Sequence, residues 1–176
     1  MAYNINDIYN QMLFIVRKER GVFVTVNEAM QTLDNAQLEA TEEWFSTYGA
    51  TQIIHDAIRK LRVQKSFTSD STGLVTFDAD YLHLIGGAYT VSGSTINNVR
   101  FLNEDELALA LKSQLRVVST SNPIAIDASV GFRLYPAATQ SGFYNYLRRP
   151  ATPVLGYTQS GRTITYDPNT STQLEF

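Results

Sequence analysis

The chain contains no cysteine. That removes disulfides, thiolate nucleophiles and zinc–thiolate sites together, and it fits a reducing compartment. Charge is also scarce: Asp, Glu, Lys and Arg make up 18% of residues, and 14 cations against 17 anions leave a net charge of −3. Without a basic excess there is no electrostatic footprint of a nucleic-acid binder. Without a polybasic run there is none of an anionic membrane surface. No apolar run reaches the length of a membrane span. The N-terminus "MAYNINDIYNQ" has no basic start followed by an apolar block, so no secretion signal is expected.

What is present is enough for a core. The 176 residues are 44% apolar, too apolar for a disordered chain and long enough to bury a sizeable interior. Little charge combined with much uncharged polar surface points to faces that meet other protein.

The first third reads as helical. Ile5, Ile8, Met12, Ile15 and Val16 fall on one face at three- and four-residue steps. Asn4 or Asn6 can cap the start and Gly21 can end it, after the cations Arg17, Lys18 and Arg20. "TVNE" is a capping box, with Thr25 and Glu28 as its reciprocal partners. Met30, Leu33, Ala40, Trp44 and Tyr48 carry the next helix to a stop at Gly49. A third helix, Thr51 to Leu61, presents Ile54, Ala57, Ile58 and Leu61. The period then changes to two. Val63, Lys65 and Phe67 alternate with polar neighbours, "SDSTG" is a turn, and Leu74 to Phe77 begins another strand. "DYLHLIGGAYTVSGSTINNVRFL" reads as strand, Gly-Gly turn or bulge, strand, tight turn and strand. "NEDELALALKSQL" is helical again, with Asn103 and Glu106 as a capping box and Leu107, Leu111 and Leu115 as an apolar stripe. Short β-rich runs follow, and "PVLGYTQSGRTITYD" is a hairpin. No repeat of solenoid period is evident.

The expected fold class is α+β: an N-terminal helical bundle packed on an antiparallel β-rich layer with one inserted short helix and an extended C-terminal tail. The expected organisation is a helical layer over 1–66, a β-rich layer over 67–166 and an arm over 167–176, in one compact unit.

Motifs for chemistry are few. His55 and His83 lack partners at metal-ligand or acid–base spacing. His83 with Asp80 nearby is the one residual enzyme candidate. The acidic run "NEDE" fits helix capping, and adjacent helical residues diverge rather than converge on a ligand. "GAYTVSGSTINN" lacks the lysine of a phosphate loop, "GSTINN" is not a nucleophile elbow, and "DSTG" is an ordinary turn. No catalytic residue, cofactor or metal is expected. Late in the chain Phe143, Tyr144, Tyr146, Tyr157 and Tyr166 gather near Arg148, Arg149 and Arg162. Tyr and Arg are what protein interfaces enrich. They could also stack on glycan or single-stranded nucleic acid. The net acidity favours the protein interface.

The last ten residues, Asp167 to Phe176, can extend about 30 Å. They are polar until Leu174 and Phe176, which could anchor the segment as an added strand on a neighbour's sheet edge.

The order "GLVTFDADYLHLIGGAYT", "VRFLNEDELALALKSQL", "NPIAI", "FRLYP", "YLRRPATPVLGYT" and "YDPNTSTQLEF" resembles virion structural proteins of tailed phages of Bacteroidetes, including crAss-like phages. The likeness covers Gly73 to Phe176, and the C-terminal block is its most specific part. The middle element is also similar to head–tail adaptor proteins, with Phe77 and Asp78 where Leu-Pro is usual. The resemblance implies a viral structural protein, a head–tail connector ring of the neck or tail. It implies a homo-oligomeric, dodecameric ring with portal or other neck and tail ring proteins as partners. Genomic DNA would pass through the lumen without specific binding, with no membrane involved. The place of residence would be the virion, after synthesis in the bacterial host cytoplasm. Under that reading Arg148, Arg149, Tyr157, Tyr166, Leu174 and Phe176 are the expected contact residues. The alternative is a virion accessory module that binds glycan or receptor through its C-terminal aromatics, with Tyr144 or Tyr146 in contact.

Overall fold

The structure is a computed structural model that describes residues 4–20, 25–47, 52–160 and 163–167. It is α+β, with helices first and sheets after them. The chain divides into two compact units, one formed by 1–61 with 149–176 and the other by 62–148. The division between these units falls at Leu61/Arg62, beside the 66/67 expected between helical and β-rich layers. The returning segment belongs with the helices, because Leu155 is buried in their apolar cluster.

In the first unit, α1 (Ile5–Arg20) starts where the Asn4 carboxamide oxygen accepts from the Asn6 amide at 3.0 Å. Asn4 is thus the cap, and it satisfies one of the amides a helix start leaves orphaned. Helix α2 (Val26–Ser46) begins at the capping box foreseen at Thr25 and Glu28. The Glu28 carboxylate accepts from the Thr25 amide at 2.8 Å and the Thr25 hydroxyl accepts from the Glu28 amide at 3.3 Å. Helix α3 (Gln52–Ile58) is one turn shorter than expected, with Ile58 buried at its end and Leu61 buried just beyond it. Ile5, Tyr9, Ala29, Leu33 and Leu155 form one apolar cluster. The expected stripe on α1 is only partly used: Ile5 is buried, whereas Ile15 is 54% exposed. The buried face of α2 carries two polar residues, Gln37 and Thr41, beyond Ala29 and Leu33. The stops expected at Gly21 and Gly49 lie outside the described residues. The hairpin is present as β9 (Tyr157–Ser160) and β10 (Thr163–Tyr166).

The second unit is two four-stranded sheets face to face. One has the order β1 (Arg62–Thr68), β8 (Ser141–Arg148), β3 (Tyr81–Ser92), β4 (Thr95–Asn98) and is antiparallel throughout. The other runs β2 (Leu74–Thr76), β7 (Gly131–Tyr135), β6 (Ile124–Ala128), β5 (Arg100–Phe101), and its β5–β6 pair is parallel. Alternation aims Ala88, Tyr144 and Tyr146 of the first sheet at Val75, Ala125, Phe132 and Leu134 of the second, and together these make the core. Phe132 is fully buried at its centre, edge-on to Phe67 at 5.6 Å and to Tyr144 at 6.0 Å. The Gly-Gly signal is a bulge within one long strand. Gly86 and Gly87 hold φ of 73° and 84°, and between Leu84 and Ala88 the register against β8 slips. Only glycine takes two such residues in succession without steric cost. Helix α4 (Glu104–Lys112) follows β5.

Candidate functional site

Three places in the fold hold the groups that the sequence singles out. The first is the stretch carrying the expected contact residues. Arg148 closes β8, half-buried, in register with Tyr81. Arg149 is exposed, and its guanidinium donates to the Asp34 carboxylate at 2.8 Å, so its charge is engaged by α2 of its own unit. Tyr157 is 42% exposed on β9, and Tyr166 is its register partner on β10. Leu174 and Phe176, with the arm that carries them, lie outside the described residues. Tyr144 and Tyr146 are 1% and 2% exposed in the sandwich core, which takes from the glycan alternative the two tyrosines it relied on. Phe143 points from the opposite face of β8 and stacks on Tyr89 at 5.1 Å.

The second place is a polar clamp at the turn between β2 and β3. Phe77 and Tyr81 stack with ring centres 3.7 Å apart, which closes the turn and presents Asp78 and Asp80. The Lys65 ammonium pairs with Asp78 at 2.9 Å. The Tyr146 hydroxyl is within 3.0 Å of an Asp80 oxygen and 3.3 Å of an Asp78 oxygen. One phenol proton thus serves two carboxylates. Burial, and then the hydrogen bond to Asp80, hold the Tyr146 phenol well above the usual tyrosine range. The hydrogen bond to Asp78 raises the Lys65 ammonium. A cleft of about 340 Å³ runs beside the clamp, lined by Lys65, Thr68, Asp70, Thr76, Asp78 and Tyr144 among others. A phenol and an ammonium both held in their protonated forms supply neither base nor nucleophile at neutral pH. The arrangement fastens a turn. Asp80 spends its carboxylate on Tyr146, while His83 lies farther along β3 opposite Leu147. Among the described residues, no group of three or more His, Cys, Asp or Glu is placed to hold a metal ion. Nor is any helix among them long and apolar enough to cross a membrane.

The third place is α4 and the loop after it. The helix starts as expected: the Glu106 carboxylate accepts from the Asn103 amide at 3.3 Å, and the Leu107 amide donates to the Asn103 carbonyl at 2.9 Å. Its burial differs from the expected stripe, since no residue of α4 is buried. Leu107 and Ala110 are half-buried, but Leu111 is 52% exposed and Leu115 fully so. Leu109 is 73% and Val117 65% exposed. The helix leans on the protein by one narrow edge and leaves most of its apolar surface in water. Beside it a cleft of about 340 Å³ is lined by Arg100, Leu102, Glu106, Leu109, Ala110, Ser113 and Arg116. The sequence signal for this was Leu109. It stands two residues from Leu107 and from Leu111, and so it falls outside their four-residue stripe.

Comparison of the chain with protein-family models and with curated proteins finds no match.

Proposed function

We propose that the protein is a structural subunit of a phage virion, a ring component of the neck or tail that assembles from copies of itself around the DNA conduit and catalyses no reaction. The observation that carries this reading is the exposed apolar surface of α4 and its following loop, with Leu109, Leu111, Leu115 and Val117 in solvent. Four large apolar side chains left in water within nine residues favour a contact with other protein. It lies inside Gly73–Phe176, the stretch whose motifs resemble virion structural proteins. The charge balance is compatible with a lumen wall. An acidic chain lets DNA pass without gripping its phosphates, whereas a basic lining would hold them.

Arg148, Arg149, Tyr157, Tyr166, Leu174 and Phe176 remain the proposed subunit contacts beside α4, with Arg149 also paired to Asp34. The test is native mass spectrometry of the purified chain and of a version ending at Tyr166. The full chain is expected to form closed oligomers, and the shortened one to assemble less while keeping the same circular dichroism. A full chain that stays monomeric at every concentration, or shortened rings indistinguishable from the full ones, would count against the proposal.

A further inference from the structure

The geometry points to a second copy of this chain as the occupant of the α4 surface, docked helix against helix about a two-fold axis. The argument starts from which residues share the outer face. Leu109 is exposed, with Asp105 four positions before it and Lys112 three after it, and residues at these spacings lie side by side on a helix. Asp105, Ala108 and Lys112 are exposed as well. Among the described residues neither Asp105 nor Lys112 has an ion-pair partner. The outer face thus reads acid, small, large apolar, base.

That order is complementary to itself when reversed. Two antiparallel copies of α4 centred between Ala108 and Leu109 bring Asp105 of each opposite Lys112 of the other. Leu109 of each then meets Ala108, a large residue against a small one. The whole helix shares this polarity, with Glu104, Asp105 and Glu106 at its start and Lys112 and Arg116 toward its end. A parallel pairing sets like charges together, so the antiparallel one is selected.

The size of the face sets the strength. Nine helical residues span about 14 Å, which places the contact at the small end of protein interfaces, below about 1,200 Å² in total. The dimer is therefore weak and concentration-dependent. The ring reading rests on this same surface, and an isologous contact closes on two copies whereas a ring contact is head-to-tail, so the two-fold pairing occupies α4 in free subunits and is exchanged for the ring contact on assembly.

The experiment is sedimentation equilibrium on the full chain and on Asp105→Lys, Lys112→Asp and Leu109→Asp, each checked for an unchanged circular dichroism spectrum. All three sites are exposed, so folding is expected to survive. The wild type is expected to dimerise, and each variant alone to dimerise about tenfold more weakly or worse. The deciding measurement mixes Asp105→Lys with Lys112→Asp. Across a two-fold contact the mixture restores two opposite-charge pairs, and a heterodimer near wild-type strength is expected. If each variant is weakened but the mixture shows no rescue, α4 docks on a different surface and the proposal is overturned. A wild type that stays monomeric through the concentration range overturns it as well. Rings that persist when the charge variants no longer dimerise would uphold the ring reading while confining this contact to free subunits.

Discussion

Gln37 is fully buried on α2, and neither its amide nitrogen nor its carbonyl oxygen has a hydrogen-bond partner. An amide buried without partners loses its water and gains nothing in return, which costs about 1–3 kcal/mol. Gln37→Met keeps the length of the side chain and its helix propensity while removing both orphaned atoms. The expected outcome is a gain of about 1–2 kcal/mol in urea unfolding; a loss of similar size would show that the amide has a partner in solution. Titrating residues define the edges of the stability profile. Hydrogen bonds from the Thr72 hydroxyl, and then from the Leu74 amide, hold Asp70 below its ordinary value of 3.8. A lowered carboxylate contributes stability that is present above its unfolded value and lost as pH falls. Tyr146 is shifted the other way, so its contribution is full below about pH 10 and lost as pH rises further. Stability should therefore be flat between these limits and fall outside both. Asp70→Asn keeps an acceptor oxygen but cannot protonate, so part of the acid limb should vanish, with Glu28, lowered by the Thr25 amide, supplying some of the rest. Tyr146→Phe should shorten the alkaline limb in the same way. Urea midpoints measured from pH 3 to 11 decide both; an acid limb unchanged in Asp70→Asn would contradict the role given to that turn.

At the level of elements, close approach fixes the sheets more tightly than propensity does. A methyl group added at Gly142 on β8 would overlap the Tyr89 carbonyl oxygen and lie 2.7 Å from the Phe67 ring. One added at Gly131 would overlap the Val75 carbonyl oxygen of the neighbouring strand. The two carbonyls are backbone obstacles that cannot swing aside, so Gly142→Ala and Gly131→Ala are expected to cost several kcal/mol or to prevent folding. Gly86→Ala meets only the end of the Arg62 side chain at 3.7 Å. Its cost is the positive φ alone, about 1–2 kcal/mol. Soluble yield and thermal midpoint of the three variants test the ranking, and Gly86→Ala proving the worst of them would refute it. The same elements show what a linear reading reaches. The Thr25 and Asn103 caps, the Asp70 turn and the β9–β10 hairpin were legible because each is built from residues a few positions apart. Partners distant in sequence were not. Tyr144 and Tyr146 look like surface aromatics until β3 and β1 flank β8 and the second sheet covers it. Leu111 and Leu115 look like core until the fold leaves α4 attached by one edge. Periodicity names a helix face without saying whether anything covers it.

At the scale of the whole molecule, the chain enters the sandwich on β1 and leaves it on β8. Those two strands are neighbours, with Arg62 paired to Leu147 in register. The core of this unit is drawn from residues 62–148 alone, as are its Lys65–Asp78 pair and its Tyr146 clamp. A unit whose ends meet and whose core is its own can be excised without leaving a loose end. The helical unit is different, for it is made of two separated pieces of chain. Leu155 completes the apolar cluster of Ile5, Tyr9, Ala29 and Leu33, and Arg149 pairs with Asp34. Residues 1–61 alone lack both. This asymmetry was hidden from sequence reading, because the boundary at Leu61/Arg62 carries no Pro, Gly or Ser run and no shift in composition. The expected outcome is that residues 62–148 expressed alone unfold cooperatively in urea and give dispersed amide resonances. Residues 1–61 alone should lose helical signal, and recover it when residues 149–176 are rejoined through a short Gly-Ser linker. Should 62–148 prove unfolded while 1–61 holds its helices unaided, the division of labour between the two units would be the reverse of the one argued from their cores.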